Sequence, residues 1–411
     1  MWLHSEIQYN GILVHQLEGL TVMTSNEVSF FSTGMARSGT NLVSKILSAN
    51  PKMHCLLGAN IELYRSVRDH IIQSFELDPN NLIPKGSVFS DFFGKPGYFH
   101  ILQHLFKETF ELDFKREEFE TLRNSSLARF PHDSPDLKPI LAEIGEQNSV
   151  NYLASLANSS RKIRGLPKET KIGFHESWHI ELFPALQKGF PEAKFMIILR
   201  DIRGTYASHK FDTMNNPEWR ASIFDYARQF RKYSALSHYL AKNFKNVMIF
   251  RYEDLMETPY QTVTKMCDFL EVEFNSRMLE PESHIDPLSK KAWSGNSGYK
   301  TKVSGFDKER STRWKSKLTE DEITGLEMMC NLGLKKNNYS MGWDFSEGSK
   351  VSLESISSQC DSKFHRWDAV KRIENNILAE EENYLKLMIR KDITTLKPLL
   401  RDLFSPDYLY F

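Results

Sequence analysis

The sequence is poor in the features that would point to an oxidised compartment or a metal. It has 4 cysteines in 411 residues, at positions 55, 267, 330 and 360, with no CxxC pair and no histidine partner at metal-ligand spacing. A disulfide framework or a zinc ribbon is excluded, and reduced thiols of a cytosolic protein fit instead. No apolar run approaches the ~18 residues of a membrane span, and nothing resembles a signal peptide. The stretch before Val28 mixes charges among its apolar residues. An excess of one charge is missing too, since Lys+Arg and Asp+Glu stand at 53 each. No global field draws this chain to nucleic acid or to an acidic membrane, so an anion site has to be built locally. The expectations are a cytoplasmic protein with no membrane span, no nucleic-acid partner and no metal. Asn-x-Ser triplets at Asn124, Asn158 and Asn338 are of a kind that chance supplies often.

What is present is an ordinary globular composition, 40% hydrophobic and 26% charged, able to bury a substantial core. Four short, apolar, β-leaning runs stand out at Val28–Thr33, Lys171–Phe174, Ala193–Leu199 and Asn246–Phe250. Continuous runs of this length, separated by helical patterns, predict buried strands of a parallel sheet, hence an α/β fold. Thr40–Ala49 reads as a helix stopped before Pro51, and Pro259–Leu270 as one opened by its proline. Trp219–Asn243 carries apolar residues at helical spacing. The chain divides into an N-terminal segment (1–27), a main domain (28–345) with a helical insertion (69–169), and a linker with a helical extension (346–411). The stretch Glu282–Ser311, rich in Gly, Ser and Lys, reads as a long loop.

The most informative segment is Phe30-Phe-Ser-Thr-Gly-Met-Ala-Arg-Ser-Gly-Thr-Asn-Leu42. Gly34 and Gly39 have the spacing of a phosphate-binding loop, but Thr40 stands where that loop carries lysine. The glycines alone fit a capped turn equally well. Arg-Ser-Gly-Thr between an apolar strand and an amphipathic helix argues further, for an anion cradle of backbone N–H groups. Arg37 would add a bidentate fork, and Ser38, Thr40 and Asn41 short-range donors. A second constellation follows the run Ala193–Leu199, with Arg200 at a strand end and Ser208 eight residues later on the next helix. An Arg and a Ser so placed can converge on one phosphate outside the carboxyl ends of a parallel sheet.

Arg37-Ser-Gly-Thr-Asn-Leu…Asn50-Pro51 resembles the 5′-phosphosulfate loop of sulfotransferases that use 3′-phosphoadenosine-5′-phosphosulfate (PAPS), particularly their bacterial and tyrosylprotein-like branches. Asn41 departs from that loop, where a second Thr is common. Arg200-Asp-Ile-Arg…Ser208 is similar to the 3′-phosphate motif of the same family, with Ile202 in place of proline. Phe250-Arg-Tyr-Glu-Asp-Leu…Pro259 resembles a further signature that would set Tyr252 against the adenine. Arg313-Trp314…Leu318 resembles the segment before the family's last helix, with Arg313 a candidate nucleotide donor. Lys300 and Lys302 are candidates to close over the cofactor.

The resemblance implies a three-layer, P-loop-like α/β fold, PAPS as donor, adenosine 3′,5′-bisphosphate as product, and a small-molecule or carbohydrate acceptor. Sulfuryl transfer then needs in-line displacement, stabilisation of the equatorial oxygens and a general base. His175 ranks first for that base, because an ordinary histidine titrates near neutrality. Glu62 and Glu176 follow, with His179 a rival to its neighbour. Two other readings stay open: a P-loop kinase of small molecules using ATP–Mg²⁺, and a nucleotide-binding scaffold without catalysis. In the C-terminal extension, Ala369–Phe411 reads as a helical hairpin that could cap the domain or dimerise it. Lys391-Asp392 with Leu399–Asp407 weakly resembles the opening helices of cone-shaped folds such as nuclear transport factor 2.

Overall fold

The computed structural model describes residues 27–58, 60–75, 98–129, 137–177, 179–212, 222–286, 290–293, 295 and 305–343. Residues 1–26, Lys300, Lys302 and the whole extension 346–411 lie outside the described residues.

In chain order the strands are β1 (Phe30–Gly34), β2 (Met53–Leu57), β3 (Lys171–His175), β4 (Lys194–Leu199) and β5 (Val247–Arg251). The helices are α1 (Thr40–Ala49), α2 (Ile61–Gln73), α3 (Tyr98–Lys107), α4 (Arg116–Arg129), α5 (Lys138–Glu143), α6 (Ser149–Ile163), α7 (Phe183–Gly189), α8 (Ile202–Asp212) and α9 (Ile223–Asn243). They continue as α10 (Tyr252–Glu257), α11 (Pro259–Leu270), α12 (Glu309–Thr312) and α13 (Glu320–Lys336).

All five strands join one sheet in the order β2-β3-β1-β4-β5, and every pairing is parallel. The expected α/β fold with a central parallel sheet is therefore observed. The sheet gains a strand that periodicity does not reveal. β2 reads Met-His-Cys-Leu-Leu, with a polar His54 inside a five-residue run that follows Pro51 and Lys52. Its pairing with β3, from Met53↔Lys171 to Leu57↔His175, makes it a strand.

Alternation along the strands builds two cores. Phe31 of β1 and Phe195, Ile197 and Leu199 of β4 bury into one face with α2, α6, α7, α9 and α13. Phe30, Met196 and Ile198 bury into the other with α1, α10 and α11. Both faces being covered, the strands read as continuous apolar runs.

Local signals set the helix ends. Pro259 opens α11, and Glu271, left-handed at φ 55°, ends it. α9 starts at Ile223 because Ser222 and Asp225 close a reciprocal capping box before it. The stretch 282–311, expected to be one loop, contains in its described parts the end of a 3₁₀ turn (Pro281–Ser283), a bridge between Ile285 and Ala292, and the start of α12. Cys55, Cys267 and Cys330 are buried, with no disulfide among the described residues. None of the described helices is long and apolar enough to cross a membrane.

The parallel sheet has a direct consequence for function. Every strand points its carboxyl end the same way, so the segments after β1, β2, β3, β4 and β5 emerge at one edge. β1 is central, and the chain leaves it first towards β2 and β3, then crosses to β4 and β5. That reversal is where open α/β sheets form their ligand crevice.

Candidate functional site

The turn after β1 is built for close approach to an anion. Arg37 and Gly39 both take left-handed backbone conformations, φ 71° and 96°, which turns successive N–H groups towards a common concavity. Glycine at 39 is required twice over. Its φ strains any other residue, and an added Cβ would stand 2.5 Å from Cδ2 of Tyr252. Ser38 Oγ donates to the Met35 carbonyl at 2.7 Å and pins the turn. α1 begins at Thr40 without a side-chain cap and without an acidic residue in its first turn. Its leading N–H donors and the positive end of its dipole stay available to an anion.

Arg200 and Ser208 come from the next strand–helix unit, and the fold brings both to this turn. Arg37 Nε donates to Ser208 Oγ at 3.3 Å, and Arg200 donates to the Arg37 carbonyl at 2.8 Å. The Arg200 guanidinium lies 4.1 Å from the centre of the Tyr252 ring, a cation–π geometry. Register explains the meeting. Leu199 pairs with Arg251, so Arg200 and Tyr252 are the next residues off adjoining strand ends. Tyr252 is buried between Gly39 and Arg200. Arg200 also donates to the Arg310 carbonyl at 3.3 Å, while its buried Nε has no hydrogen-bond partner. A buried guanidinium N–H left unpaired is costly, and a phosphate oxygen is a partner of the right charge and geometry.

Arg313 is placed less directly. It belongs to the 3₁₀ turn Arg313–Ser316 that continues α12, and its guanidinium is 3.4 Å from Asp307. The neighbouring Trp314 stacks on Arg203 at 4.1 Å, and Arg203 is held by Asp201 and Glu327 in a buried network. This network ties the 305–318 segment to the start of α8, beside Arg200.

Three of the four base candidates gather at the ends of β2 and β3. His175 pairs in register with Ser32, two residues before Gly34 and so about 7 Å back from the turn along the strand. Its side chain is 0% exposed, Nδ1 is 3.0 Å from Ser32 Oγ, and Nε2 has no hydrogen-bond partner. Burial pushes its pKa down to about 3, so the ring is neutral and weakly basic at pH 7.

Glu176 is the next residue, fixed to β1 from both sides. Its N–H donates to the Ser32 carbonyl at 3.1 Å, and its carbonyl accepts from Thr33 Oγ1 at 2.7 Å. The Glu176 carboxylate accepts the backbone N–H of Asn60, immediately before α2. Its negative charge also raises the pKa of Tyr64, though burial is the larger cause.

His179 is buried and meets the Tyr64 ring edge-on at 4.8 Å. Glu62 is the second residue of α2, ion-paired with Arg65 at 2.8 Å and partly exposed. Among the described residues no group of three His, Cys, Asp or Glu side chains is placed to hold a metal ion.

Two residues at this edge escape sequence reasoning. Asn60 has a weak signal, an Asn before a helical run; its burial does not. Glu253, one residue past Tyr252, has none. It accepts from the Asp201 N–H at 3.1 Å and from Tyr339 Oη at 2.9 Å. Burial, opposed by Arg200 and aided by Asp201, raises its pKa from 4.5 to about 6.

Between about pH 4.5 and 6 the folded chain holds more protons at Glu253 than the unfolded chain, so this group's contribution to stability falls as pH rises through that window. A shift of this size corresponds to about 2 kcal/mol. His54 and His175, both lowered to about 3 by burial, act in the opposite sense over an overlapping range. The readable quantity is therefore a difference. Urea unfolding of the wild type, referenced to Glu253→Gln, should lose about 2 kcal/mol between pH 4.5 and 6. A pH-independent difference would contradict the shift.

The model of the sulfotransferase family matches residues 29–276, more than half of the chain. Among solved structures, the sulfotransferase domain from the Synechococcus PCC 7002 olefin synthase is similar at 15% identity, covering 76% of this chain and 95% of that one, with a TM-score of 0.42. The sulfotransferase domain from the curacin biosynthetic pathway is similar at 13% identity, covering 76% and 99%, with a TM-score of 0.42. Mouse sulfotransferase SULT7A1, complexed with PAP, is similar at 13% identity, covering 76% and 88%, with a TM-score of 0.36. No curated protein matches the chain.

Proposed function

The chain belongs to the sulfotransferase family, and we propose that it moves a sulfuryl group from PAPS to a hydroxyl or amine acceptor by in-line transfer with a general base. The observation that carries this reading is the convergence of Arg37, Arg200 and Ser208 on one turn, with a buried guanidinium nitrogen of Arg200 left unpartnered. The donor fits the residues present. The left-handed turn at Arg37 and Gly39 and the uncapped start of α1 offer oriented N–H groups for its 5′ end. Arg200 and Ser208 offer charge and a hydroxyl for its 3′-phosphate. When bound, PAPS supplies an activated sulfuryl group and a bisphosphate leaving group.

The protein's own part is positioning and charge stabilisation. Arg37 neutralises charge at the reacting end of the site, and its fork suits sulfate or phosphate oxygens. Tyr252 holds Arg200 in place through its ring face, a role that its burial between Gly39 and Arg200 supports better than stacking on adenine. Arg313 steadies the segment whose Arg310 carbonyl receives Arg200.

For the base, Glu176 takes precedence over His175 in this account. An enclosed histidine titrating near 3 is a poor proton acceptor at neutral pH. Glu176 is held just past the end of β3, beside the strand that leads into the phosphate turn, by its backbone bonds to Ser32 and Thr33. Glu62 is engaged with Arg65 on the helix surface and ranks below it. The Glu176 carboxylate would take the acceptor's proton as the acceptor oxygen or nitrogen replaces the bisphosphate on sulfur.

Incubation with PAPS and a panel of hydroxyl and amine acceptors tests the reading. Formation of adenosine 3′,5′-bisphosphate stoichiometric with a sulfated acceptor is expected. Transfer from ATP–Mg²⁺ instead, with no consumption of PAPS, would contradict it.

A further inference from the structure

Asn60 stands out among the buried polar groups. It is 0% exposed, and neither Oδ1 nor Nδ2 of its carboxamide has a hydrogen-bond partner. It immediately precedes the 13-residue α2, the position where an asparagine ordinarily turns its side chain back onto the helix N–H groups. Here the side chain makes no such cap bond, so the carboxamide is left unspent. Burying an amide without a partner is strongly unfavourable, and orphan groups of this kind call for an explanation.

The surroundings supply one. The backbone N–H of Asn60 donates to the carboxylate of Glu176, so the residue with the orphaned carboxamide is in direct contact with the proposed base. β2 and β3 are in register there, Leu57 against His175, and the Gly58 N–H donates to the His175 carbonyl at 3.1 Å. The ends of β2 and β3 thus bring together the Glu176 carboxylate and the residue that carries the unpaired carboxamide.

Resting on the sulfotransferase reading above, we propose that Asn60 and Glu176 form the acceptor subsite, Glu176 taking the hydroxyl that is sulfated and Asn60 holding a second hydroxyl vicinal to it, so that the acceptor is a vicinal diol of the kind a sugar ring presents. The chemistry follows from the donor and acceptor inventory. A carboxamide offers an N–H donor and a carbonyl acceptor side by side, and a hydroxyl satisfies both because it accepts and donates. An acceptor with a single hydroxyl on an apolar frame would leave Asn60 unpaired, and sites built around buried polar groups discriminate against ligands that fail to meet them. Asn60 is a specificity-determining residue. It carries no proton in the reaction.

The test compares cyclohexanol with trans-1,2-cyclohexanediol as acceptors, using PAPS as donor, for the wild type, Asn60→Leu and Asn60→Ser. Adenosine 3′,5′-bisphosphate binding is measured on each. The wild type should favour the diol by about tenfold in kcat/KM, the value of one good hydrogen bond. In Asn60→Leu that preference should fall to about twofold or less, through KM, while bisphosphate binding persists. Asn60→Ser should lie between, since its hydroxyl replaces part of the carboxamide's function. A wild type that does not favour the diol, or a preference that survives both substitutions, would overturn the proposal. Should Asn60→Leu lose bisphosphate binding through misfolding, the wild-type ratio and Asn60→Ser decide. A wild type that fails to bind the bisphosphate at all would sink the sulfotransferase reading itself, a result distinct from loss of diol preference.

Discussion

Replacing Glu176 with glutamine should lower kcat by about 10²- to 10⁴-fold, the usual range for a general base, and leave adenosine 3′,5′-bisphosphate affinity unchanged. The substitution is nearly isosteric, and a glutamine carbonyl can still accept the Asn60 N–H that the carboxylate now accepts. Its main effect is the loss of a proton acceptor at the end of β3. Single-turnover kinetics with saturating PAPS would read the chemical step directly. His175→Gln offers the contrast. Because His175 is enclosed and titrates near 3, that variant should lose stability more than it loses the acid limb of the pH–rate profile. A Glu176→Gln enzyme with near-normal kcat, beside a His175→Gln or Glu62→Gln enzyme that is folded and inactive, would move the base to the other residue.

Arg37→Ala should cost about 10²- to 10³-fold in kcat, as removal of one preorganised donor to developing charge does elsewhere. The same change removes the partner of Ser208 Oγ, so some weakening of cofactor binding accompanies it. The carbonyl of residue 37, which receives Arg200, is untouched by the substitution. Arg37→Lys should recover only a small part of the rate, because an ammonium restores charge without the planar fork. Equal losses in kcat/KM and in bisphosphate affinity, with kcat unchanged, would instead assign Arg37 to ground-state binding.

The parts of this site that are local in sequence are the legible ones. The phosphate turn is a single run from Phe30 to Leu42, and its glycines, arginine and following helix can be read without knowing what packs on them. Four of the strands announce themselves because a sheet buried on both faces needs continuous apolar residues. β2 does not, since His54 interrupts a five-residue strand whose identity comes from pairing with β3. The convergence of Arg200 on the Arg37 carbonyl joins residues 163 positions apart, and only strand order brings them together. His175 shows how burial overrides a residue's ordinary chemistry. Its type and place after a β-run suggest a base near neutrality, but register with Ser32 carries it back into the sheet. Asn60 is the complementary case, an unremarkable residue by type whose burial without a partner makes it informative.

The most direct measurement is a calorimetric titration of the full chain with adenosine 3′,5′-bisphosphate and, separately, with ATP–Mg²⁺, alongside Arg200→Ala. The bisphosphate is expected to bind in preference to ATP–Mg²⁺, and Arg200→Ala to weaken it by about 10- to 100-fold, the value of a charge-assisted contact. Tight binding of ATP–Mg²⁺ with no response to the bisphosphate would contradict the account and return the site to a kinase-like phosphate loop.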